Sequence, residues 1–224
     1  MAKSALVLHS GGQDSTTCLF WALRNFDQVY AMGFDYAQRH LVELECAQKL
    51  CERLKVPYTT VDMSFIAALG ENSLTNHNQS FEMVGPYQGL PSSFVPGRNL
   101  FFLSAAAAFA APRGIVDLVT GVCETDYSGY PDCRQDFVNH LAGTLELALQ
   151  MKMTIHTPLM KLNKAQTFEL AEKMDCLESV IKESHTCYQG DRSELHNWGY
   201  GCGSCPSCEL RKKGYGEFIK GRGL

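Results

Sequence analysis

The sequence predicts an α/β fold: a doubly wound parallel sheet covered by helices, with a small metal-binding region at its C-terminal end. Three observations predict it. Short apolar runs alternate with helix-periodic segments from the N-terminus onward, and a glycine-rich turn sits at the first strand-to-helix junction. Four of the ten cysteines crowd into the last fifth of the chain. The 224 residues are 45% hydrophobic and 20% charged, a composition that can bury a core and is not that of a disordered chain. A formal net charge of -4 argues against a protein built to coat nucleic acid. No apolar run reaches the ~20 residues needed to span a bilayer. The N-terminal apolar stretch is too short for a secretory signal. A cytoplasmic protein with no membrane and no direct nucleic-acid partner is expected.

Residues 5–9 form a β-like run, followed by Ser10-Gly11-Gly12-Gln13-Asp14-Ser15 and helix-compatible sequence to about Arg24. A second strand is predicted over 28–34 and a helix over 39–54, where Leu41, Leu44, Ala47, Leu50, Cys51 and Leu54 fall at helical spacing. Residues 58–61 return to strand. Gly, Asn, Ser and Pro then break the rhythm over 70–97, a length typical of a lid or binding loop. Residues 98–111 are apolar and alanine-rich, a buried helix stopped by Pro112. A strand over 116–122, a helix marked by Phe137, Leu141, Leu145 and Ala148, and a short strand over 154–156 follow. Asn163 and Gln166 give the capping signal of a helix over 163–174. This organisation divides the chain into a nucleotide-binding domain, 1–180, and a C-terminal metal-binding segment with a terminal helix, 181–224.

The glycine-rich turn is a nucleotide-binding position. Glycines let the backbone approach a ligand, and the free N–H groups of a first helical turn favour an anion. Ser10, Ser15 and Thr16 add hydroxyl groups. The competing reading is an ordinary tight turn between strand and helix. No lysine follows the glycines, so this is not a Walker A loop, and the dinucleotide fingerprint does not fit. Asp14 would repel a phosphate unless a divalent cation sat between them, so a phosphate site here implies Mg²⁺.

Two cations stand at the wrong end of their helices. Lysine and arginine favour helix C-termini, because the N-terminus already carries partial positive charge. Yet Arg98 opens one predicted helix and Lys164 another. Reaching out to solvent would cost each only about 0.3–1 kcal/mol. Two such residues on the framework of a phosphate loop point instead to an anion bound between them.

Six cysteines (Cys18, Cys46, Cys51, Cys123, Cys133, Cys176) read as small buried hydrophobes. Cys187, Cys202, Cys205 and Cys208 differ, giving one remote ligand and a C-x2-C-x2-C run beside Gly199, Gly201 and Gly203. Four thiolates suit a closed, structural, tetrahedral zinc site. An iron–sulfur cluster shares this spacing. The basic residues beyond (Arg211, Lys212, Lys213, Lys220, Arg222) read as a solvated helix end.

Taken whole, Ser10 to Ser15 resembles the SGGxDS loop of the ATP pyrophosphatase, or PP-loop, superfamily, whose members split ATP between its α and β phosphates. That resemblance implies an adenine nucleotide alpha hydrolase-like sheet. A closer likeness covers nearly the whole chain. Ser10 to Cys18, Phe34-Asp-Tyr-Ala-Gln-Arg-His40, Phe94-Val-Pro-Gly-Arg-Asn99, Thr120-Gly-Val-Cys-Glu-Thr-Asp-Tyr-Ser-Gly-Tyr-Pro-Asp-Cys-Arg134, Thr157-Pro-Leu-Met160 and the cysteine cluster resemble the 7-cyano-7-deazaguanine synthase family of queuosine biosynthesis.

The resemblance implies an ATP-dependent carbon–nitrogen ligase that turns 7-carboxy-7-deazaguanine and ammonia into the nitrile through adenylated carboxylate and amide intermediates. It implies ATP contacts from His9, Ser10, Gly11, Gly12, Gln13, Asp14, Ser15, Thr16, Thr17, Cys18, Leu19 and Arg98. Catalytic roles fall to Asp14, on magnesium, and to Arg98 and Lys164, which would offset charge on the α-phosphoryl group. Substrate contacts fall to Gln38, Arg39, His40, Asp126, Tyr130, Asp132 and Arg134, with Tyr127 an alternative stacking partner. One structural zinc per chain, on Cys187, Cys202, Cys205 and Cys208, and a homodimer are expected. Three departures from the family pattern stand out: Ala37 where many members carry glycine, Gln166 where an acid is frequent, and a longer stretch from Cys187 to Cys202. Ala2 and the absence of a spare domain in the sequence lead to the expectation of no glutaminase, with ammonia arriving free or from a separate partner. The rival enzyme is a PP-loop tRNA thiolase or lysidine-type ligase, and the rival non-enzyme is a nucleotide-sensing module.

Overall fold

A computed structural model describes residues 2–39, 41–69, 72–76, 85, 87, 89–125 and 129–223. Five strands, β1 (Ser4–Leu8), β2 (Gln28–Asp35), β3 (Tyr58–Asp62), β4 (Asp117–Val119) and β5 (Thr154–His156), form one sheet in the order β3-β2-β1-β4-β5. Every pairing in it is parallel. β1 occupies the centre, with Ala5 opposite Val29 on one side and Asp117 on the other.

Because successive strand residues face opposite sides, β1 feeds two cores. Leu6 and Leu8 join Met32, Phe34 and Leu118 beneath α3 (Arg98–Ala110) and α4 (Gln135–Leu149). Ala5 and Val7 join Cys18, Leu19, Ala31 and Val119 beneath α1 (Gln13–Asn25) and α2 (Val42–Leu54). Full burial of Leu6 or Leu118 stabilises by about 1.5–3 kcal/mol each, so these two layers hold the sheet together. A third apolar cluster, built on Phe168, Val180 and Phe218, joins α5 (Lys164–Lys173), α6 (Leu177–Lys182) and α7 (Pro206–Gly221).

The doubly wound parallel sheet is as expected, and so is the start of α5. Asn163 Oδ1 accepts the Gln166 backbone N–H and Gln166 Oε1 accepts that of Asn163, both at 2.9 Å. Other boundaries differ. α2 begins at Val42, leaving Gln38 and Arg39 in the loop after β2. The strand expected over 116–122 is three residues long, because the chain leaves the sheet at Thr120. α6 and the small hairpin of β6 (Leu195–His196) and β7 (Gly199–Tyr200) have no counterpart in the sequence reading. No described helix is long and apolar enough to cross a membrane.

Candidate active site

In a sheet of this order, chains leave β1 toward one edge and β4 toward the other, opening a crevice at the carboxyl ends of those strands. The glycine turn lies there. Gly11 has φ +88°, and the Gly12 N–H donates to Ser10 Oγ at 3.3 Å. The Ser15 hydroxyl donates to the Gly12 carbonyl at 3.2 Å and lies 3.3 Å from His9 Nδ1. Gly12, the N-cap of α1, supplies no side-chain cap, and although the Gln13 N–H is taken by Thr186 Oγ1, the first turn of the helix presents its positive end at the crevice, where an anion is favoured. From the opposite wall, a Cβ on Gly121 would sit 3.2 Å from the Asp14 backbone, so the two loops approach closely at the crevice.

A cavity of about 570 Å³ opens over this turn, within the range of small-molecule sites. His9, Ser10, Gln13, Asp14 and Ser15 line it together with Arg98 and Lys164. The two misplaced cations of the sequence thus reach one chamber. Lys164 Nζ lies 2.6 Å from Asp14 Oδ2, while Asp14 Oδ1 is buried without a hydrogen-bond partner. That free oxygen suits a divalent cation. Both amide atoms of Gln13 are also buried and unpartnered, although the residue is only 1% exposed. Such atoms cost free energy unless a ligand or solvent meets them.

Electrostatics separate the wall residues. Burial works against the Arg98 charge, but Tyr36, Tyr130 and Asp132 overcome it and hold the guanidinium firmly protonated. Burial pushes Tyr36 up, and the Arg98 guanidinium lies 3.5 Å from its hydroxyl. Glu43, also on the wall, is pushed up to about 7 by burial, against the pull of Arg98 and Arg211. Burial lowers His9 from 6.5 to about 4, opposed by its contact with Ser15. The folded His9 therefore resists protonation, so its contribution is present above pH 6.5 and is lost as pH falls toward 4. Up to about 3 kcal/mol is at stake. Denaturant curves should show the advantage of the parent over His9→Gln shrinking across that window. An advantage that stays constant would remove His9 from the acid response.

Gln38, Arg39 and Tyr130 also line the cavity. The Tyr130 hydroxyl lies 2.7 Å from Ser93 Oγ, and Gln38 accepts the Tyr36 N–H at 2.8 Å. Ala37, between them, has φ 61°, a left-handed conformation that costs an alanine about 1–2 kcal/mol. Thr16, Thr17, Cys18 and Leu19 are buried within α1, behind the glycine turn. The Asp132 carboxylate accepts the Asn99 N–H at 3.0 Å at the start of α3, and Arg134 is exposed. His40, Asp126 and Tyr127 lie outside the described residues.

The structure corrects the reading of the basic tail. Arg211 is 1% exposed and lines the cavity, and Lys213 lines it too. Tyr36, Glu43, Thr186 and Tyr188 are wall residues that the sequence reading did not single out.

The four clustered cysteines come together as expected, their sulfur atoms all within 4.8 Å of one another. Tetrahedral zinc, with Zn–S of about 2.3 Å, needs sulfurs roughly 3.8 Å apart, so the set fits one ion. Backbone N–H groups support the sulfurs: Gln189 and Cys202 donate to Cys187 Sγ at 3.4 and 3.5 Å, and Cys205 donates to Cys202 Sγ at 3.3 Å. Trp198, stacked on His196 with centroids 4.4 Å apart, closes the cluster.

The family described as "Queuosine biosynthesis protein QueC" has a sequence model that matches residues 4–219. The chain belongs to this family. A 7-cyano-7-deazaguanine synthase of Bacteroides fragilis is 50% identical over 219 residues, covering 98% of this chain and 97% of its own. The protein of the same description from Burkholderia cenocepacia is 49% identical over 230 residues, covering 97% and 93%. Among solved structures, an NH3-dependent NAD synthetase from Campylobacter jejuni in complex with the nitrate ion aligns with a TM-score of 0.45 at 16% identity, over 79% of this chain and 67% of that one. The cavity over the glycine turn is the candidate active site of this QueC-family enzyme.

Proposed function

We propose that this chain activates the carboxylate of 7-carboxy-7-deazaguanine with ATP, lets ammonia displace AMP, and repeats the activation on the resulting amide to give 7-cyano-7-deazaguanine. The observation that carries this reading is the junction of the glycine turn, Asp14, Lys164 and Arg98 in one cavity of a QueC-family chain.

The chemistry explains why two activations are needed. A carboxylate is a poor electrophile until its oxygen becomes a leaving group. Attack of that oxygen on the α-phosphorus breaks the bond to the β-phosphate and releases pyrophosphate. Ammonia then adds at the carbon and AMP departs with the first oxygen. The amide oxygen attacks a second ATP in the same way, and loss of AMP and the remaining N–H protons leaves the nitrile. Each carboxyl oxygen leaves on one AMP, so the turnover consumes two ATP.

In this reading Ser10, Gly12 and Ser15 hold the pyrophosphate end through hydroxyl and backbone donors. Arg98 and Lys164 offset negative charge as it gathers on the α-phosphoryl group, the effect that dominates such transfers. Gln38, Arg39 and Tyr130 meet the heterocycle. Magnesium on Asp14 would neutralise the triphosphate when bound. One zinc on Cys187, Cys202, Cys205 and Cys208 would serve as a closed structural clamp. Ammonia is the nitrogen donor.

The test is product analysis after incubation with 7-carboxy-7-deazaguanine, ammonium and ATP. AMP, pyrophosphate and the nitrile are expected in a 2:2:1 ratio, from the two activations above. ADP and phosphate as the sole nucleotide products would overturn the α-phosphoryl assignment. Stoichiometric iron in the purified protein would turn the reading toward a tRNA thiolase.

A further inference from the structure

Residues 184–187 form a strap between the glycine turn and the cysteine cluster. On the turn side, the His185 N–H donates to the Gly11 carbonyl at 2.9 Å and the Gln13 N–H donates to Thr186 Oγ1 at 3.4 Å. On the cluster side, the Ser207 hydroxyl donates to the Thr186 carbonyl, and the strap ends in the ligand Cys187. Arg211 ties the two together. One nitrogen donates to Thr186 Oγ1 at 3.0 Å, and the other to the Val180 carbonyl at 2.6 Å and to Ser184 Oγ at 3.1 Å.

The charge on Arg211 is unusual. It is the largest fully buried side chain among the described residues, yet its acceptors are all neutral and no described carboxylate pairs with it. A buried cation without a bonded counter-charge is costly. Burial works against its charge, and Asp14 on the glycine turn, Cys208 in the cysteine cluster and Glu43 on the cavity wall favour it. It therefore stands between two sites that each concentrate negative charge when filled.

α7 is the rigid part that connects them. Cys208 and Arg211 are three residues apart on it, so they share a face. One turn further, a Cβ on Gly214 would fall 2.4 Å from Lys164 Cβ, so the helix also presses on the residue that reaches Asp14. Gly199 in the knuckle hairpin is equally constrained, since a Cβ there would meet the Arg211 guanidinium at 2.4 Å.

We infer that the metal cluster governs nucleotide binding: with the four cysteines loaded, the strap and Arg211 hold the glycine turn in the shape that accepts phosphates. Arg211 and Thr186 are thus positioning residues for ATP. This rests on reading the turn as the phosphate site.

Calorimetric titration with the non-cleavable α,β-methylene analogue of ATP tests it. Zinc-loaded parent protein should bind, and failure to bind would sink the phosphate-site reading itself rather than the coupling. Thr186→Val keeps all four ligands and Arg211 but removes the oxygen that both Gln13 and Arg211 reach. It should retain its zinc and bind the analogue about tenfold more weakly, the equivalent of one hydrogen bond to a charged group. Thr186→Ser should restore parent affinity. In steady state the valine variant should raise KM for ATP while leaving kcat within about twofold, because Thr186 touches no reacting atom; a generally damaged fold would lower both. Parent protein stripped with a chelator should lose affinity at least tenfold and regain it with Zn²⁺. Parent-like affinity in Thr186→Val, or in stripped protein that keeps its thermal transition, would overturn the inference. If stripping unfolds the chain, the valine and serine variants decide alone.

Discussion

Lys164→Ala is expected to slow AMP release by about 10²–10³-fold, the usual cost of removing one pre-aimed donor from a developing anion. The position of the lysine gives the reason. Its side chain is 11% exposed and its ammonium lies 2.6 Å from Asp14 Oδ2, beside the glycine turn proposed to hold phosphate. Charge that gathers on a phosphoryl group in such a place is poorly screened by water, so a fixed cation there is worth far more than on the surface. By contrast, the Arg24–Asp175 pair, with side chains 45% and 85% exposed, contributes little. Removing Lys164 also leaves Asp14 without this partner. Asp14 is 27% exposed, so the stability loss should stay near 1–2 kcal/mol, below the 3–5 kcal/mol of a fully buried pair. Rapid-quench measurement of AMP, beside a melting curve of the same sample, separates the two effects. A single-turnover rate within threefold of the parent would take Lys164 out of the chemistry.

Residues whose chemistry contradicts their local setting were legible in the sequence. Arg98 and Lys164 sit at helix starts, where a cation is disfavoured, and both line the cavity. The turn after β1 was legible for a different reason: two glycines alone read as an ordinary turn, but Ser10 to Ser15 as a whole match the SGGxDS loop. Arg211 gave no such sign. Beside Lys212 and Lys213 it looks like one more solvated cation, and only the packing of α7 against the strap buries it. Glu43 was hidden similarly, as an acid near the start of an amphipathic helix, where acids are common. Its place in the cavity depends on how α2 meets Gly11, a long-range contact that local periodicity cannot report. α6 and the β6–β7 hairpin escaped because six-residue and two-residue elements carry too few positions for a period to be read.

The same contact between α2 and the turn makes Gly11→Ala a severely damaging small substitution. An alanine Cβ would fall 2.0 Å from the Glu43 carbonyl oxygen and 2.9 Å from the Ala47 nitrogen. Both are backbone atoms of one helix, so no flexible side chain can move aside. α2 itself would have to retreat, opening the layer in which Ala47, Leu50 and Cys51 are buried. The left-handed backbone at Gly11, with φ +88°, adds about 1–2 kcal/mol for any residue with a Cβ. Together these should exceed about 4 kcal/mol, enough to leave a domain of ordinary stability largely unfolded. Gly12→Ala supplies the contrast. Its nearest neighbours would be Ser10 Oγ at 3.5 Å and the His185 carbonyl at 3.6 Å, which are ordinary contacts. That variant should melt within about 1 kcal/mol of the parent yet bind ATP poorly, because its methyl group occupies space that a phosphate needs. Denaturant unfolding and nucleotide titration on the pair would show whether the two glycines divide the work in this way. A Gly11→Ala protein as stable as its parent would mean that α2 does not lie against the turn.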